Sequence, residues 1–221
     1  RSDLHSPKGE PLSAKMYPPP TFNDDLKKTR EEALTATNAA QPALGALNRG
    51  IYEILSQRFG LTPDFTCGHS YGELCALYAA GVYDADSLCK VSFLRGELMA
   101  QGDGGRGAMA AVTAPLEKVE ALLPELKDVV IANRNSPGQC VLSGSKEAVK
   151  EATARLKEHG MRAIPLQVGA AFHSPLVASA EAPFRKGLDE VKFGKASLPV
   201  LANKTAQDYP TEAKKMKDLL A

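Results

Sequence analysis

The sequence lacks a long hydrophobic run. Its longest apolar stretch, Leu74 to Val82, is less than half of the roughly 20 residues that a helix needs to cross a bilayer. No hydrophobic signal segment precedes the cysteines either. We therefore expect a soluble protein that does not act in a membrane.

An excess of charge of either sign is also missing. Lys and Arg number 27 and Asp and Glu number 26, which leaves a formal net charge of +1. A protein that binds nucleic acid has to neutralise many phosphates with basic side chains. The composition therefore argues against nucleic acid as a partner.

A paired CxxC motif is absent. The four cysteines, Cys67, Cys75, Cys89 and Cys140, are scattered, with no spacing typical of a metal site. Together with the missing signal segment, this pattern favours a reducing, cytoplasmic setting and no bound metal.

The length of 221 residues allows one sizeable domain, or a large domain with a smaller one inserted. The chain begins at Arg1 rather than Met, which suggests a piece excised from a longer polypeptide. Pro7, Pro11 and the run from Pro18 to Pro20 predict an extended surface segment without regular helix over the first two dozen residues.

Apolar residues then recur at spacings of three and four. Leu44, Leu47, Ile51 and Leu55 lie between Asn38 and Gly60, and a glycine is a common helix terminator. The pattern predicts an amphipathic helix that ends at the glycine.

A strand, a sharp turn and a helix follow. Asp64 to Cys67 reads as a strand, Glu73 to Ala80 reads as a helix that stops at Gly81, and the sequence GHSYG lies between them. The next predicted helix runs from Asp86 to about Gln101.

The glycine-rich run from Gly102 to Gly107 matches GxGxxG, but a helix precedes it and a strand-like segment follows, the reverse of a dinucleotide site. We interpret it as a hinge. Beyond it, residues 108–168 predict the order βαββαβ, with helices opened by Pro115 and Ser145. We expect this ferredoxin-like subdomain to be inserted in a main domain formed by residues 1–107 and 169–221.

Ser70 is the candidate nucleophile. A GxSxG sequence between a strand and a helix places the serine on a strained turn from which its hydroxyl projects. The free N–H groups of the following helix point at the same place, so the backbone N–H of Tyr71 is a natural oxyanion donor.

A serine nucleophile needs a base, and only four histidines are available. His5 lies in the proline-rich lead, His159 ends a predicted helix, and His69 adjoins the serine itself. His173 is the best candidate, although a histidine satisfied by a backbone carbonyl is the simpler alternative.

Arg95 falls in the middle of the apolar stripe formed by Leu88, Val91 and Leu98 on its predicted helix. An arginine in such a position needs an anion.

Two kinds of anion satisfy this need. One is a structural carboxylate such as Glu73 or Glu97, and the other is a substrate carboxylate held in a bidentate grip. The sequence leaves the choice open; a substrate carboxylate would indicate malonyl-type acyl groups.

These motifs resemble the acyltransferase domains of polyketide and fatty acid synthases and the free-standing malonyl transacylases. The resemblance extends over roughly residues 35 to 210. The proline-rich lead and the segment from Ala170 to Pro175 are most similar to the acyltransferases of iterative synthases, such as those that make polyunsaturated fatty acids or enediynes. The resemblance is carried by Gly68 to Glu73, Arg95-Gly96, Phe172-His173-Ser174, Ala40 to Leu44, Asn133 to Gln139 and Leu198 to Thr205.

The resemblance implies an α/β fold: an α/β-hydrolase-like main domain with a parallel sheet, and the ferredoxin-like subdomain beside it. It implies that Ser70 carries the acyl ester, His173 activates it, Arg95 pairs with the malonyl carboxylate, Gln41 lines the pocket and Phe172 favours malonyl over methylmalonyl. The acyl group would pass from coenzyme A to the phosphopantetheine thiol of an acyl carrier protein beside neighbouring synthase domains, without a cofactor of the protein's own.

Two features of the family have no counterpart in the sequence. The Gly-Gln-Gly-rich first strand, which supplies a second oxyanion donor, and the final segment, which orients the histidine, are both missing. We therefore expect a main domain truncated at both ends.

Two other functions stay open. A serine esterase or thioesterase would need a triad acid between serine and histidine, for which Asp103 and Asp128 are the aspartates considered. A non-catalytic docking module of the same fold is the other alternative.

Overall fold

The computed structural model describes residues 11–101, 107–166 and 175–221. The helices are α1 (Leu12–Met16), α2 (Asp24–Thr35), α3 (Thr37–Phe59), α4 (Gly72–Ala79), α5 (Ala85–Gln101), α6 (Leu116–Leu122), α7 (Lys146–Glu158), α8 (Glu181–Leu188) and α9 (Ala213–Leu220). The strands are β1 (Thr66–Cys67), β2 (Gly107–Thr113), β3 (Val129–Ser136), β4 (Gln139–Ser145), β5 (Arg162–Leu166) and β6 (Val200–Leu201). Short 3₁₀ turns span Leu123–Glu125 and Pro175–Ala180.

The described residues form two compact units, one made of residues up to Leu98 together with Glu181–Ala221, and one within Met99–Ala180. In the first unit, β1 pairs in parallel with β6, with Thr66 opposite Val200. The core around this pair is formed by α4, α5, α8 and α9, with Leu77 and Leu188 fully buried. The fold is thus α/β with a parallel pair of strands.

The second unit contains an antiparallel sheet in the order β3-β4-β2-β5. The chain order is β2, α6, β3, β4, α7, β5, as the sequence predicts. Both helices turn an apolar face inward, since Val119, Leu122, Val149 and Leu156 are all buried. The serine predicted to open the second helix is its N-cap, since Ser145 Oγ accepts a hydrogen bond from the Ala148 N–H at 3.1 Å.

The prediction of a lead without helix is wrong. α1 begins directly after Pro11, whose φ of −64° suits the start of a helix, and Leu12 is buried. α2 is capped by Asn23, which accepts a hydrogen bond from the Leu26 N–H at 2.9 Å. The run from Pro18 to Pro20 lies between these two helices, is exposed and is not helical.

The predicted bounds of α3 are confirmed, and the structure shows that its apolar stripe is not the buried face. The helix ends at Gly60, which has a φ of 67°. Its apolar stripe is about half exposed: Leu44 46%, Leu47 46%, Ile51 47% and Leu55 38%. The buried face consists of small and polar residues: Thr37, Ala39, Gln41, Pro42, Ala43 and Gly45.

No helix of the residues that the structure describes has both the length and the apolar character needed to cross a membrane. All four cysteines are free thiols, of which Cys67 is exposed and Cys140 is buried. The glycine-rich run from 102 to 106 lies outside the described residues.

The orientation of α3 predicts that alanine substitutions at two leucines lower the free energy of unfolding by different amounts. Leu77 has no exposed surface, so Leu77→Ala leaves a cavity and should lower the free energy of unfolding by about 2 to 5 kcal/mol. Leu47 also lies on a helix but is 46% exposed. Leu47→Ala should therefore lower the free energy of unfolding by less than about 1 kcal/mol. Urea denaturation followed by far-UV circular dichroism measures both; equal losses would contradict the described orientation of α3.

Candidate active site

The candidate site lies at the carboxyl ends of β1 and β6. Because the two strands are parallel, the residues that follow Cys67 and Leu201 emerge at the same edge. The serine turn follows β1, and Asn203 follows β6. The backbone N–H of Ser70 donates to Asn203 Oδ1 at 3.4 Å, so the two segments meet at the predicted nucleophile.

Ser70 has a left-handed backbone conformation, with a φ of 52°. Such a conformation costs a non-glycine residue about 1 to 3 kcal/mol and is typical of the strained turns that present a nucleophile. The turn is closed by hydrogen bonds from Gly72 N to His69 O at 2.8 Å and from Glu73 N to Ser70 O at 3.1 Å. The predicted strand, sharp turn and helix are therefore confirmed.

The first glycine of the motif is a steric requirement. A Cβ atom on Gly68 would overlap the backbone carbonyl group of Gly72, so the chain comes back on itself at this point. A Cβ on Gly72 would meet nothing within 4 Å. Of the two glycines of GxSxG, only Gly68 is therefore required by the space around it.

Tyr71 is the N-cap residue of α4, and its backbone N–H donates to no group of the described residues. The side chain is buried, and its hydroxyl lies 2.6 Å from Ser92 Oγ, which in turn donates to Leu88 O at 2.6 Å. Burial raises the pKa of Tyr71, so the phenol stays protonated at neutral pH. Gly45 on α3 makes room for this hydroxyl, because a Cβ there would overlap Tyr71 Oη.

Arg95 lies on α5 and points at the serine. Its Nη2 donates to Ser70 Oγ at 3.4 Å, from a helix face on which Leu88 and Val91 are buried. Burial lowers the pKa of Arg95, while the nearby Tyr71 and Glu73 oppose that shift. Since an arginine titrates far above neutral pH, the guanidinium remains charged.

Neither structural carboxylate weighed as a partner of Arg95 forms an ion pair with it within the described residues. Glu97 Oε1 accepts a hydrogen bond from Asn38 Nδ2 at 3.1 Å. Glu73 Oε1 is occupied by the Asn203 N–H and by the Tyr209 hydroxyl, each at 2.8 Å. The guanidinium therefore carries a charge that these carboxylates do not neutralise by direct contact.

The other predicted site residues are placed as follows. Gln41 is 7% exposed on the inner face of α3. His173, Phe172 and Asp103 lie outside the described residues, so their roles remain predictions. Among the residues that the structure describes, no group of three or more His, Cys, Asp or Glu side chains is arranged to hold a metal ion.

Sequence reasoning missed several residues that contact the serine turn. Asn203 lies within a segment that carries the family resemblance, but nothing in the sequence marks its side chain. Tyr209, Ser92 and Gly45 carry no signal, because their partners are 136, 21 and 26 positions away in the chain.

Comparison with known proteins identifies the family. A model of the acyl transferase domain matches residues 21–217 of the 221-residue chain. The chain belongs to the acyl transferase domain family. The family predicted from the motifs around Ser70 and Arg95 is thereby confirmed.

Two sequence relatives illustrate the range of the acyl transferase domain. The malonyl CoA-acyl carrier protein transacylase of Bacillus subtilis is 39% identical over 196 residues, which are 86% of this chain and 61% of that protein. One chain of the polyunsaturated fatty acid synthase of Thraustochytrium sp. is 35% identical over 213 residues, 94% of this chain and 7% of that much longer protein. The chain thus spans less than two thirds of either relative.

Solved structures of acyl transferases share the fold. A structure described as a type II polyketide synthase acyl-carrier protein in complex with its malonyl-transacylase matches with a TM-score of 0.85 and 32% identity. The match covers 95% of this chain and 66% of that one. The α/β fold with one parallel and one antiparallel sheet is therefore that of known acyl transferase domains.

The two glycines of the motif give a matched test of the turn. Gly68→Ala should abolish labelling of Ser70 by a fluorophosphonate, a general serine reagent, and lower the free energy of unfolding by about 2 kcal/mol or more, because Cβ meets backbone. Gly72→Ala has open space at the first position of α4 and should keep both properties, with stability unchanged or raised by about 0.5 to 1 kcal/mol. Intact-protein mass spectrometry and thermal unfolding measure the pair; a labelled Gly68→Ala protein would contradict the described turn.

Proposed function

We propose that this acyl transferase domain moves a malonyl group from coenzyme A to the phosphopantetheine thiol of an acyl carrier protein, through an ester on Ser70. The observation that carries the proposal is Arg95: its guanidinium is within 3.4 Å of Ser70 Oγ and makes no ion pair with a carboxylate of the described residues. A malonyl ester on Ser70 would bring its own carboxylate one methylene beyond the ester carbonyl. A guanidinium is suited to hold that group by two parallel hydrogen bonds.

The chemistry follows from the groups around Ser70. In the first half-reaction His173 takes the hydroxyl proton, and Ser70 Oγ attacks the thioester carbonyl carbon. The oxyanion that forms is stabilised by the Tyr71 N–H, which makes no hydrogen bond within the described part of the chain. The intermediate then collapses, and the thiol of coenzyme A leaves with the proton from His173.

The second half-reaction reverses these steps with the carrier thiol as the attacking group. No step requires a metal or a redox cofactor. We expect Gln41 to line the acyl pocket and Phe172 to disfavour a 2-methyl substituent, as the family resemblance implies. The carrier protein, coenzyme A thioesters and neighbouring synthase domains are the proposed partners, and the free thiols agree with the predicted cytoplasmic setting.

The same proposal includes the finer fold. We assign the unit within Met99–Ala180 to the ferredoxin-like class, because its βαββαβ order and its sheet order β3-β4-β2-β5 agree with that class. The strained serine turn between β1 and α4 supports an α/β-hydrolase-like main domain. The boundaries at 107/108 and 168/169 stay predictions.

Acylation of Ser70 is the direct test. The chain incubated with malonyl-CoA should gain the mass of one malonyl group, located by peptide mapping on Ser70 and absent from Ser70→Ala. When carrier protein bearing phosphopantetheine is then added, the malonyl group should leave Ser70 and appear on the carrier protein. Loss to water at the same rate with or without the carrier would indicate a hydrolase, and an unmodified wild-type chain would contradict transfer activity in these 221 residues.

Arg95 allows a test of substrate class. Arg95→Ala should slow malonyl loading by about 30-fold or more relative to acetyl loading, since loss of a buried charge partner typically costs about 2 to 5 kcal/mol. Arg95→Lys keeps the charge without the bidentate geometry and should recover only part of the rate.

Arg49→Ala is the matched control, because the Arg49 guanidinium belongs to the same unit but pairs with Glu53 of its own helix at 2.6 Å. It should load both acyl groups as the wild type does. Equal losses for malonyl and acetyl in Arg95→Ala would make Arg95 structural and remove the argument for a malonyl group.

A further inference from the structure

Glu73 connects α4 to the segment that follows β6. It lies in the first turn of α4, and one of its oxygens, Oε1, accepts hydrogen bonds from the Asn203 backbone N–H and from the Tyr209 hydroxyl, both at 2.8 Å. A carboxylate is favoured at a helix N-terminus, and hydrogen bonds to an ionised acceptor are stronger than neutral ones. This side chain is therefore a firm connection between two segments that are 130 positions apart.

The residue held by Glu73 is also the one that contacts the nucleophile. Asn203 Oδ1 accepts the Ser70 N–H at 3.4 Å, while the Glu73 N–H donates to Ser70 O at 3.1 Å. The backbone of Ser70 is thus contacted on its N–H side by Asn203 and on its carbonyl side by Glu73. Ser70 needs such support, because its left-handed conformation is unfavourable for a serine.

We infer that Glu73, Asn203 and Tyr209 are positioning residues of the acyl transfer, which together hold Ser70 in the conformation that presents its hydroxyl. The inference rests on the proposed function for its reaction. None of the three is a catalytic residue, since their side chains contact the backbone of Ser70 or one another rather than its Oγ.

Tyr209 is suited to donate a hydrogen bond to the Glu73 carboxylate. It is buried, and burial together with the Glu73 carboxylate raises its pKa, so the phenol stays protonated as a donor. Its N–H donates to Val200 O at 2.7 Å, which fixes the tyrosine to β6 itself. The Glu73 carboxylate is thereby aligned with the strand from which Asn203 emerges.

The test compares side chains that keep or lose each hydrogen bond. Glu73→Ala and Asn203→Ala lose the acceptor; Glu73→Gln and Asn203→Asp retain an oxygen at the same place; Tyr209→Phe loses a single donor. The rate of Ser70 labelling by a fluorophosphonate, the rate of malonyl loading and the melting temperature are measured for each variant. In Glu73→Ala and Asn203→Ala, Ser70 should be labelled at least about tenfold more slowly than in the wild type, at temperatures where each variant is folded. In Glu73→Gln the labelling rate should lie within about threefold of the wild-type rate.

Tyr52→Phe is the control. The Tyr52 hydroxyl donates to Ala79 O at 3.0 Å, at the opposite end of α4 from the serine, so its loss removes a phenol hydrogen bond to the same helix without affecting the turn. This variant should label at the wild-type rate. A merely structural role of Glu73 would lower the melting temperature of Glu73→Ala and leave its labelling rate as in the wild type, which would overturn the inference.

The readouts separate this inference from the proposed function. A wild-type chain that reacts with the fluorophosphonate but not with malonyl-CoA would contradict malonyl transfer, while the labelling rates of the variants still decide the positioning role. If neither reagent modifies the wild type, amide hydrogen exchange of the peptide covering residues 66–74 decides it. Faster exchange in Glu73→Ala and Asn203→Ala, but not in Tyr52→Phe, supports the inference, and unchanged exchange overturns it.

Discussion

The tight reversal of the chain between β1 and α4 is the constraint on which the site depends. Gly68 and the carbonyl group of Gly72 are so close that no side chain fits between them, and the residue in the middle takes a left-handed conformation. That geometry exposes the Ser70 hydroxyl and directs the first N–H groups of α4 to the same point. The strain is confined to the turn from Gly68 to Gly72. The groups packed around this turn come from α5, from α3 and from the segment after β6, so elements that are distant in the sequence meet there.

The two charged groups near Ser70 differ in their surroundings: the Glu73 carboxylate is hydrogen-bonded within the protein, and the Arg95 guanidinium points at the serine. Glu73 lies in the first turn of α4, and its Oε1 accepts hydrogen bonds from the Asn203 N–H and the Tyr209 hydroxyl. Arg95 consequently approaches Ser70 without a carboxylate in direct contact among the described residues. A partly buried guanidinium without a carboxylate partner is unfavourable for folding and favourable for binding an anion, because part of the desolvation of the cation has already taken place in the free protein.

The sequence predicted what is encoded locally. The βαββαβ order, the bounds of α3 and the serine turn all depend on periodicity, capping residues and glycines within a few positions of one another, and the structure confirms them. The hydrogen bonds of Asn203 and Tyr209 could not be predicted in this way, because they depend on the pairing of β1 with β6 across more than 130 residues. The helix α1 differs from the prediction for another reason: prolines disfavour a helix interior, but Pro11 precedes the first residue of α1 and the later run lies between α1 and α2.

The buried face of α3 shows that hydrophobic periodicity locates a helix without determining which of its faces is buried. A Cβ on Gly96 of α5 would lie 2.9 Å from Thr37 O, so α3 and α5 approach each other too closely for leucine side chains between them. Gly45 has the same effect at the Tyr71 hydroxyl, which needs the space to reach Ser92. A helix that has to approach so closely turns its small residues inward, whatever its apolar stripe would prefer. The inward face of α3 therefore carries the small residue that leaves room for the Tyr71 hydroxyl beside Ser92.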